Sequence, residues 1–439
     1  MPRRWTMALF ALATAGCSWS RFDDVGKNTP VVLLEKPDKM HAGFGVTVAS
    51  VSTAKQTRVI VGGANGKNIA AMFELGAGTD PNTAAVDTGS CSDSCYLADR
   101  LAGLAVADVG ARDPQSMCFV LGIGTGDPSG PGLTGRCADG TEYPLAVPPK
   151  VLKDLIKDEV IFQDAPAPLV FATDKDDGPA LIAGAKDQKL AWFYAPVSIA
   201  PKQLVPPSAP DSDFGAAVAV VRLGGTSRIL AVAAPESGHV WLFSGDTGEP
   251  VGCLGGPSQF GRSLVTGHVD GDDADDLVIA DASNVTVISG TALAGLAPAT
   301  DITCSLAALP SGGILTSFGC GSQGTIGGCP GGFGAALEVG DLDADGDGEV
   351  IVGAPDMKVR GISGAGAVLV YDAEGPDPTA LSDELFLSSA SSDDHLGSAL
   401  ATAHVDGRDV VVAGAPGNGR AAIFYCSSLL GAAGGERCR

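Results

Sequence analysis

Short apolar runs recur along the chain behind a Phe-Gly or Leu-Gly step, and acidic or glycine-rich turns separate them. The clearest unit runs from Gly332 to Asp372: a Phe-Gly step, a small-residue strand, an acidic turn, an apolar strand ending Gly-Ala-Pro, a glycine loop and an aromatic-tipped strand. Further copies begin at Phe44-Gly45, Phe214-Gly215, Phe260-Gly261 and Leu396-Gly397, and degenerate copies begin near Leu101 and Leu169. The apolar strands end at Gly62-Gly63-Ala64, Gly122-Ile123-Gly124, Gly184-Ala185-Lys186, Ala233-Ala234-Pro235, Ala280-Asp281-Ala282, Gly353-Ala354-Pro355 and Gly414-Ala415-Pro416, which makes seven units.

Within a unit the pattern predicts stacked sheets. Small residues such as Ala335-Ala336, Ala216-Ala217 and Ser398-Ala399 open the first strand, where a crowded axis favours them. The second strand, as in Val350-Ile351-Val352 or Val410-Val411-Val412, is continuously apolar, as expected of a strand covered on both faces. Third strands carry the bulk at Phe73, Tyr194, Phe243, Tyr371 and Tyr425, where a widening wedge needs filling. The fold class expected is therefore all-β, with radially arranged four-stranded blades. The seventh unit has three strands, near 398–404, 409–413 and 421–426. Val31-Val32-Leu33-Leu34 stands where its fourth would be, so an N-terminal strand is expected to close the circle and remove an edge.

Composition narrows the function. The 439 residues include 61 Gly, no strict collagen period and a 45% hydrophobic fraction, which excludes disorder and a triple helix. A formal charge of −23 repels phosphate backbones, so no nucleic-acid partner is expected.

Residues 1–16 combine two arginines with an apolar run too short to span a bilayer. They end at Thr14-Ala15-Gly16-Cys17, which resembles the lipobox of bacterial lipoproteins, with Thr14 where Leu is commoner. That resemblance implies cleavage before Cys17, lipid on Cys17, a tether over 17–30 and a cell-envelope location in which the membrane is met only through the anchor. Ten further cysteines remain, an even number in an exported chain. Local pairs suggest Cys91–Cys95, Cys118–Cys137, Cys320–Cys329 and Cys426–Cys438, leaving Cys253 with Cys304, although sequence leaves the connectivity open. No CxxC pair supports zinc.

The Phe-Gly…Gly-Ala-Pro units resemble FG-GAP repeats, the blades of the integrin α-subunit propeller and its bacterial relatives. The resemblance covers nearly all of 31–426, with 427–439 as a tail. It implies a seven-bladed β-propeller with calcium held in some of the turns between first and second strands. The residues fit that chemistry on their own account, because calcium takes six to eight hard oxygens and alternating aspartates on a tight turn aim into one cavity. Asp341, Asp343 and Asp345 would supply carboxylates, Asp347 its carbonyl and Glu349 the closing carboxylate, with Gly346 permitting the turn. In the turn from His268, Asp270, Asp272 and Asp276 occupy the third, fifth and ninth places and Ala274 offers its carbonyl, while His268 replaces the first aspartate. The turn at Asp174 and Asp176 and the shortened turn His404 to Asp409, where Arg408 can supply a positive charge, are expected to be metal-free.

Enzymatic signatures are missing from the sequence. Gly66-Lys67 lacks the rest of a P-loop, and no GxSxG, HExxH or dinucleotide fingerprint occurs. The function expected is a lipid-anchored, calcium-binding module for an extracellular or envelope protein or glycan. Segments 125–150 and 305–330 break the repeat length and would serve as recognition loops or as covers for an exposed edge. A calcium-dependent polysaccharide lyase or hydrolase on a propeller scaffold, and an envelope assembly scaffold, are the alternatives.

Overall fold

In the computed structural model, the structure describes the strands between residues 31 and 194 with the turns at 43–46, 63 and 189, and then residues 202–425 apart from 209–210, 212, 225–226, 300, 321–330, 374–380 and 406. Residues 1–30 and 426–439, on which the expected signal segment, tether and tail fall, lie outside the described residues, as do Cys17, Cys91, Cys329, Cys426 and Cys438. No helix among the described residues is long and apolar enough to cross a membrane.

The described strands form seven four-stranded sheets, and strands pair antiparallel in each. In chain order, sheet 1 spans 47–97, sheet 2 spans 101–145, sheet 3 spans 169–204, sheet 4 spans 217–255, sheet 5 spans 263–319 and sheet 6 spans 337–385. Sheet 7 takes three strands from 400–424 and its fourth from the other end of the chain, with Val31 opposite Phe424 and Glu35 opposite Arg420. The first strands of successive sheets touch from sheet 1 through to sheet 7, and that of sheet 7 touches that of sheet 1.

One expectation is corrected. Segment 125–150 is no loop insertion, because Leu133–Cys137 and Glu142–Leu145 are the third and fourth strands of sheet 2. Its glycines and prolines punctuate strands that the repeat motif is too worn to mark. Strand starts also move: Leu337–Gly340 and Leu400–Val405 begin after the small pairs, which belong to the turn behind the Phe-Gly step.

The continuous apolar second strands are explained by packing. In Arg408–Ala415, Val410 and Val412 face a core shared with sheet 1, whereas Val411 and Ala413 face one shared with sheet 6. In Glu349–Ala354, Val350 and Val352 face sheet 5 while Ile351 faces sheet 7. Alternate residues point to opposite faces, so a strand sandwiched between two neighbours has no polar side.

The Phe-Gly and Gly-Ala-Pro halves of the repeat belong to one hydrogen-bonded device. The N–H of the Phe-Gly glycine donates to the first carbonyl of the strand ending in all five clear units: Gly45 to Gly62, Gly215 to Ala233, Gly261 to Ala280, Gly334 to Gly353 and Gly397 to Gly414, at 2.9–3.0 Å. These glycines hold φ between 73° and 98°, a left-handed conformation that L side chains avoid. The preceding Phe44, Phe214, Phe260, Phe333 and Leu396 are fully buried. Phe44 meets third-strand Phe73 edge-on at 6.1 Å, and Phe214 meets Phe243 at 6.3 Å. The strand-ending glycine in turn makes room for the next unit. A Cβ on Gly353 would lie 2.1 Å from the Gly397 carbonyl oxygen, and one on Gly414 would lie 1.9 Å from that of Gly45 in sheet 1.

Hydroxyls at equivalent first-strand positions tie neighbouring sheets together. Thr266 Oγ1 donates to the Val220 carbonyl at 3.0 Å, and Ser50 Oγ donates to the Thr402 carbonyl across the junction of sheets 1 and 7. An outer edge is covered as well. Cys304 is disulfide-bonded to Cys253 on the fourth strand of sheet 4, and the segment around it runs along that strand, with Ala299 N–H on the Pro250 carbonyl and Ser305 N–H on that of Cys253. Residues 305–308 therefore cover an edge, and Ile314–Gly319 further on is the fourth strand of sheet 5. Cys320 is also disulfide-bonded. Register places Cys118 opposite Cys137 in sheet 2 and Cys95 opposite Ala71 in sheet 1.

Candidate metal centre

The turn from Asp341 to Glu349 joins the first and second strands of sheet 6, between Leu337–Gly340 and Glu349–Ala354. Its shape depends on two left-handed residues, Ala344 at φ 64° and Gly346 at φ 104°. Asp341 organises the loop, its Oδ1 accepting the Asp345 N–H and its Oδ2 the Gly346 N–H. Asp345 Oδ1 accepts from the Asp347 N–H. At the far end Glu349 Oε2 accepts the Leu342 N–H at 2.7 Å, which ties the ninth position of the turn to the second.

Among the described residues, one set of three His, Cys, Asp or Glu side chains has its ligand atoms within 4.8 Å of one another: Asp341, Asp343 and Asp345. Asp343 Oδ1 is buried and makes no hydrogen bond. Asp343 also lines a recess of about 10 Å³, the room of one water, with Leu342, Glu349, Val370, Asp372, Ser382 and Asp383; Asp341 and Asp345 do not line it. An orphaned carboxylate oxygen is costly unless something positive meets it. Three converging carboxylates with an unmatched buried oxygen are the donor set a hard divalent cation takes, so these residues fit the calcium that the repeat pattern implies.

The electrostatics are consistent with that fit. Burial, followed by the charges of nearby Asp343 and Asp345, pushes Glu349 from 4.5 up to about 8. Burial and the charge of Asp345 raise Asp343, and burial with Asp345 and Asp341 raises Asp347. The Asp347 side chain turns away toward the neighbouring turn, so closely that a Cβ on Gly271 would lie 2.1 Å from its Oδ1.

The turn from His268 to Asp276 in sheet 5 is built differently. Asp270, Asp272 and Asp276 form no comparable cluster. Asp270 Oδ1 and Asp272 Oδ1 accept the N–H groups of Asp272 and Ala274. Asp276 is fully buried and accepts from Val269 and Asp270 through Oδ2 and from Gly290 through Oδ1. Burial outweighs those donors and lifts it to about 6. Ala274 is buried in the same turn. His268 fills the first position, with Nδ1 2.9 Å from the Asp272 carbonyl and Nε2 3.4 Å from Asp275 Oδ1. Asp275 also binds Arg222 bidentately, at 2.7 and 3.0 Å. Spacing singled out neither Asp275 nor Arg222, because their pairing crosses two sheets.

The turns of consecutive sheets are linked. Asp275 N–H donates to the Arg222 carbonyl, Gly348 N–H to that of His268 and Asp409 N–H to that of Asp341, at 2.7, 2.7 and 2.9 Å. In the short turn of sheet 7 the His404 ring faces Asp409, with Nδ1 3.0 Å from Oδ1. Asp174 and Asp176 lie outside the described residues, as does Asp406.

No curated protein matches the chain. A family model does match residues 333–371, the segment that carries the buried Phe333, the aspartate cluster and the Gly-Ala-Pro strand ending, so the chain contains an FG-GAP repeat.

Proposed function

We propose that the chain is a seven-bladed β-propeller, closed by the strand at 31–35, that holds calcium in the 341–349 turn and serves as an envelope-tethered module for binding a protein or glycan. The observation that carries the metal reading is the buried, unbonded Asp343 Oδ1 beside the Asp341 and Asp345 carboxylates. Seven sheets whose first strands touch in succession, and return from sheet 7 to sheet 1, support the closed ring. Asp341, Asp343 and Asp345 would hold the cation and Glu349 would close the set, while the Asp347 carbonyl would supply a neutral oxygen. When bound, calcium neutralises charge and cross-links the turn. The chain's own part is to aim the carboxylates and keep them dry. The turn at 268–276 answers the same need with backbone N–H donors and His268, so it forms without metal.

Binding rather than catalysis is favoured because the acidic residues of the turn are committed to shape and charge balance. Lipid on Cys17 would place this ring at the envelope, and an acidic surface suits partners other than nucleic acid. Calorimetric titration of the purified chain with calcium, alongside glycan arrays and pull-downs with and without EDTA, tests the reading. Saturable calcium uptake and a calcium-dependent partner are expected. Absence of uptake would remove the metal from the proposal, and turnover of a polysaccharide would replace binding with catalysis.

A further inference from the structure

The aspartate triad is assembled from one turn, yet its first member is held from the next sheet. Asp341 is grasped at both of its backbone polar groups by a single residue of sheet 7. The Asp409 N–H donates to the Asp341 carbonyl at 2.9 Å, and Asp409 Oδ2 accepts the Asp341 N–H at 3.1 Å. The other oxygen of Asp409 is held by His404 Nδ1 at 3.0 Å, which fixes the rotation of the carboxylate. With its backbone clamped, Asp341 can use its two side-chain oxygens to pin the N–H groups of Asp345 and Gly346, which shapes the loop that brings Asp343 and Asp345 to it. Asp275 holds Arg222 in the same way, its N–H on the Arg222 carbonyl at 2.7 Å and its Oδ2 accepting the Arg222 N–H at 3.3 Å, while the His268 carbonyl accepts the Gly348 N–H. Among the described residues neither of those turns carries such a triad, so the clamp is a general brace that the 341–349 turn alone combines with converging carboxylates.

We infer that Asp409 is a positioning residue for the metal centre, setting the affinity of the 341–349 turn from the neighbouring sheet without touching the cation. The inference rests on the calcium reading above. Its physical basis is that a carboxylate set gains affinity when it is fixed before the ion arrives, and partners one shell out commonly contribute about ten- to a hundredfold. It also gives the short turn of sheet 7 a role, that of bracing the ligands of sheet 6.

The experiment compares Asp409→Ala and Asp409→Asn with wild type in the full chain. It titrates calcium by calorimetry and follows amide hydrogen exchange over 341–349 in EDTA. Asparagine keeps an acceptor for the Asp341 N–H but removes the charge. Asp409→Ala should weaken calcium binding about tenfold and speed exchange of the Asp341 amide, while Asp409→Asn stays within about threefold of wild type, where the intact acceptor puts it. Equal losses in both variants would mean that the charge acts through space, overturning the positioning role. Unchanged affinity in Asp409→Ala, with wild type binding calcium, would overturn the inference alone. A wild-type chain that takes up no calcium would overturn the metal reading and this inference with it.

Discussion

Glu349 and Asp343 place ionisable oxygens where water reaches them poorly, and that sets how the molecule responds to calcium and to pH. Because only the folded turn assembles the triad, calcium bound there as proposed would add stability by mass action, about 2.7 kcal/mol at a free concentration 100 times the dissociation constant. Asp343→Ala should therefore lower the melting temperature in millimolar calcium and shrink the shift between calcium and EDTA; scanning calorimetry in both buffers decides it. Indistinguishable wild-type melting in the two buffers would contradict the metal reading. A second residue gives the pH dependence. Glu338, on the first strand of sheet 6 beside Thr402 of sheet 7, is raised from 4.5 to about 8, first by burial and then by the charge of Asp409. A carboxyl with a raised folded pKa contributes stability that is complete below its unfolded value and is lost as pH rises through the folded one. Calcium-free wild type should thus lose stability between about pH 4.5 and pH 8, and Glu338→Gln should flatten part of that loss. The gain at pH 9 should be on the order of 1 kcal/mol, well short of the full shift because Glu338 keeps some solvent contact. A variant with the wild-type pH profile would show that this carboxyl is ordinarily solvated.

At the scale of the repeat, the device to test is the hydrogen bond joining the Phe-Gly glycine to the strand ending. Gly397 holds φ 88°, and a Cβ there would lie 2.7 Å from the Ala367 carbonyl oxygen. Gly397→Ala should cost about 2 kcal/mol or more from backbone strain alone. Ser398→Ala, one residue on, loses only a hydroxyl bond to the His395 carbonyl and should cost about 1 kcal/mol. Chemical denaturation of the two variants gives the comparison, and equal costs would mean that the turn relaxes. Much of this was legible in the sequence, because glycine at a fixed distance from an apolar run reports a backbone need and alternation-free valines report a strand covered on both faces. Sheets 2 and 3 were legible only as degenerate copies, since their strands keep apolar strand-forming residues without the Phe-Gly and Gly-Ala-Pro motif. The aspartates of 341–349 were readable by spacing. What spacing could not carry was everything held across sheets: Asp409 on Asp341 and Arg222 on Asp275. Those contacts depend on which turns become neighbours, and sequence distance is silent on that.

For the molecule as a whole, two cross-links bear on integrity. The Cys253–Cys304 bond closes a 51-residue separation, and its removal by paired alanine substitutions should cost about 2–4 kcal/mol. The fifth-sheet segment should then become protease-sensitive before the other sheets; uniform digestion would show that the backbone bonds to Pro250 and Cys253 suffice. The other cross-link is non-covalent. Removing residues 31–35 would leave Arg420–Phe424 as an open, largely apolar edge, and such a chain should elute as oligomers in size-exclusion chromatography.

That last pairing also has a consequence for time. The strand at 31–35 leaves the ribosome long before its partner at 420–424, with every other described strand made in between. At about 5–20 residues per second, the early strand waits tens of seconds for the segment it will lie beside. Sheets 1 to 6 can condense as they emerge, but sheet 7 has no way to be completed until residues 420–424 are made. A nascent chain stalled before residue 420 would hold six sheets and two open ends. Until then the edge at the end of sheet 6 and the waiting strand at 31–35 both lack their final neighbours.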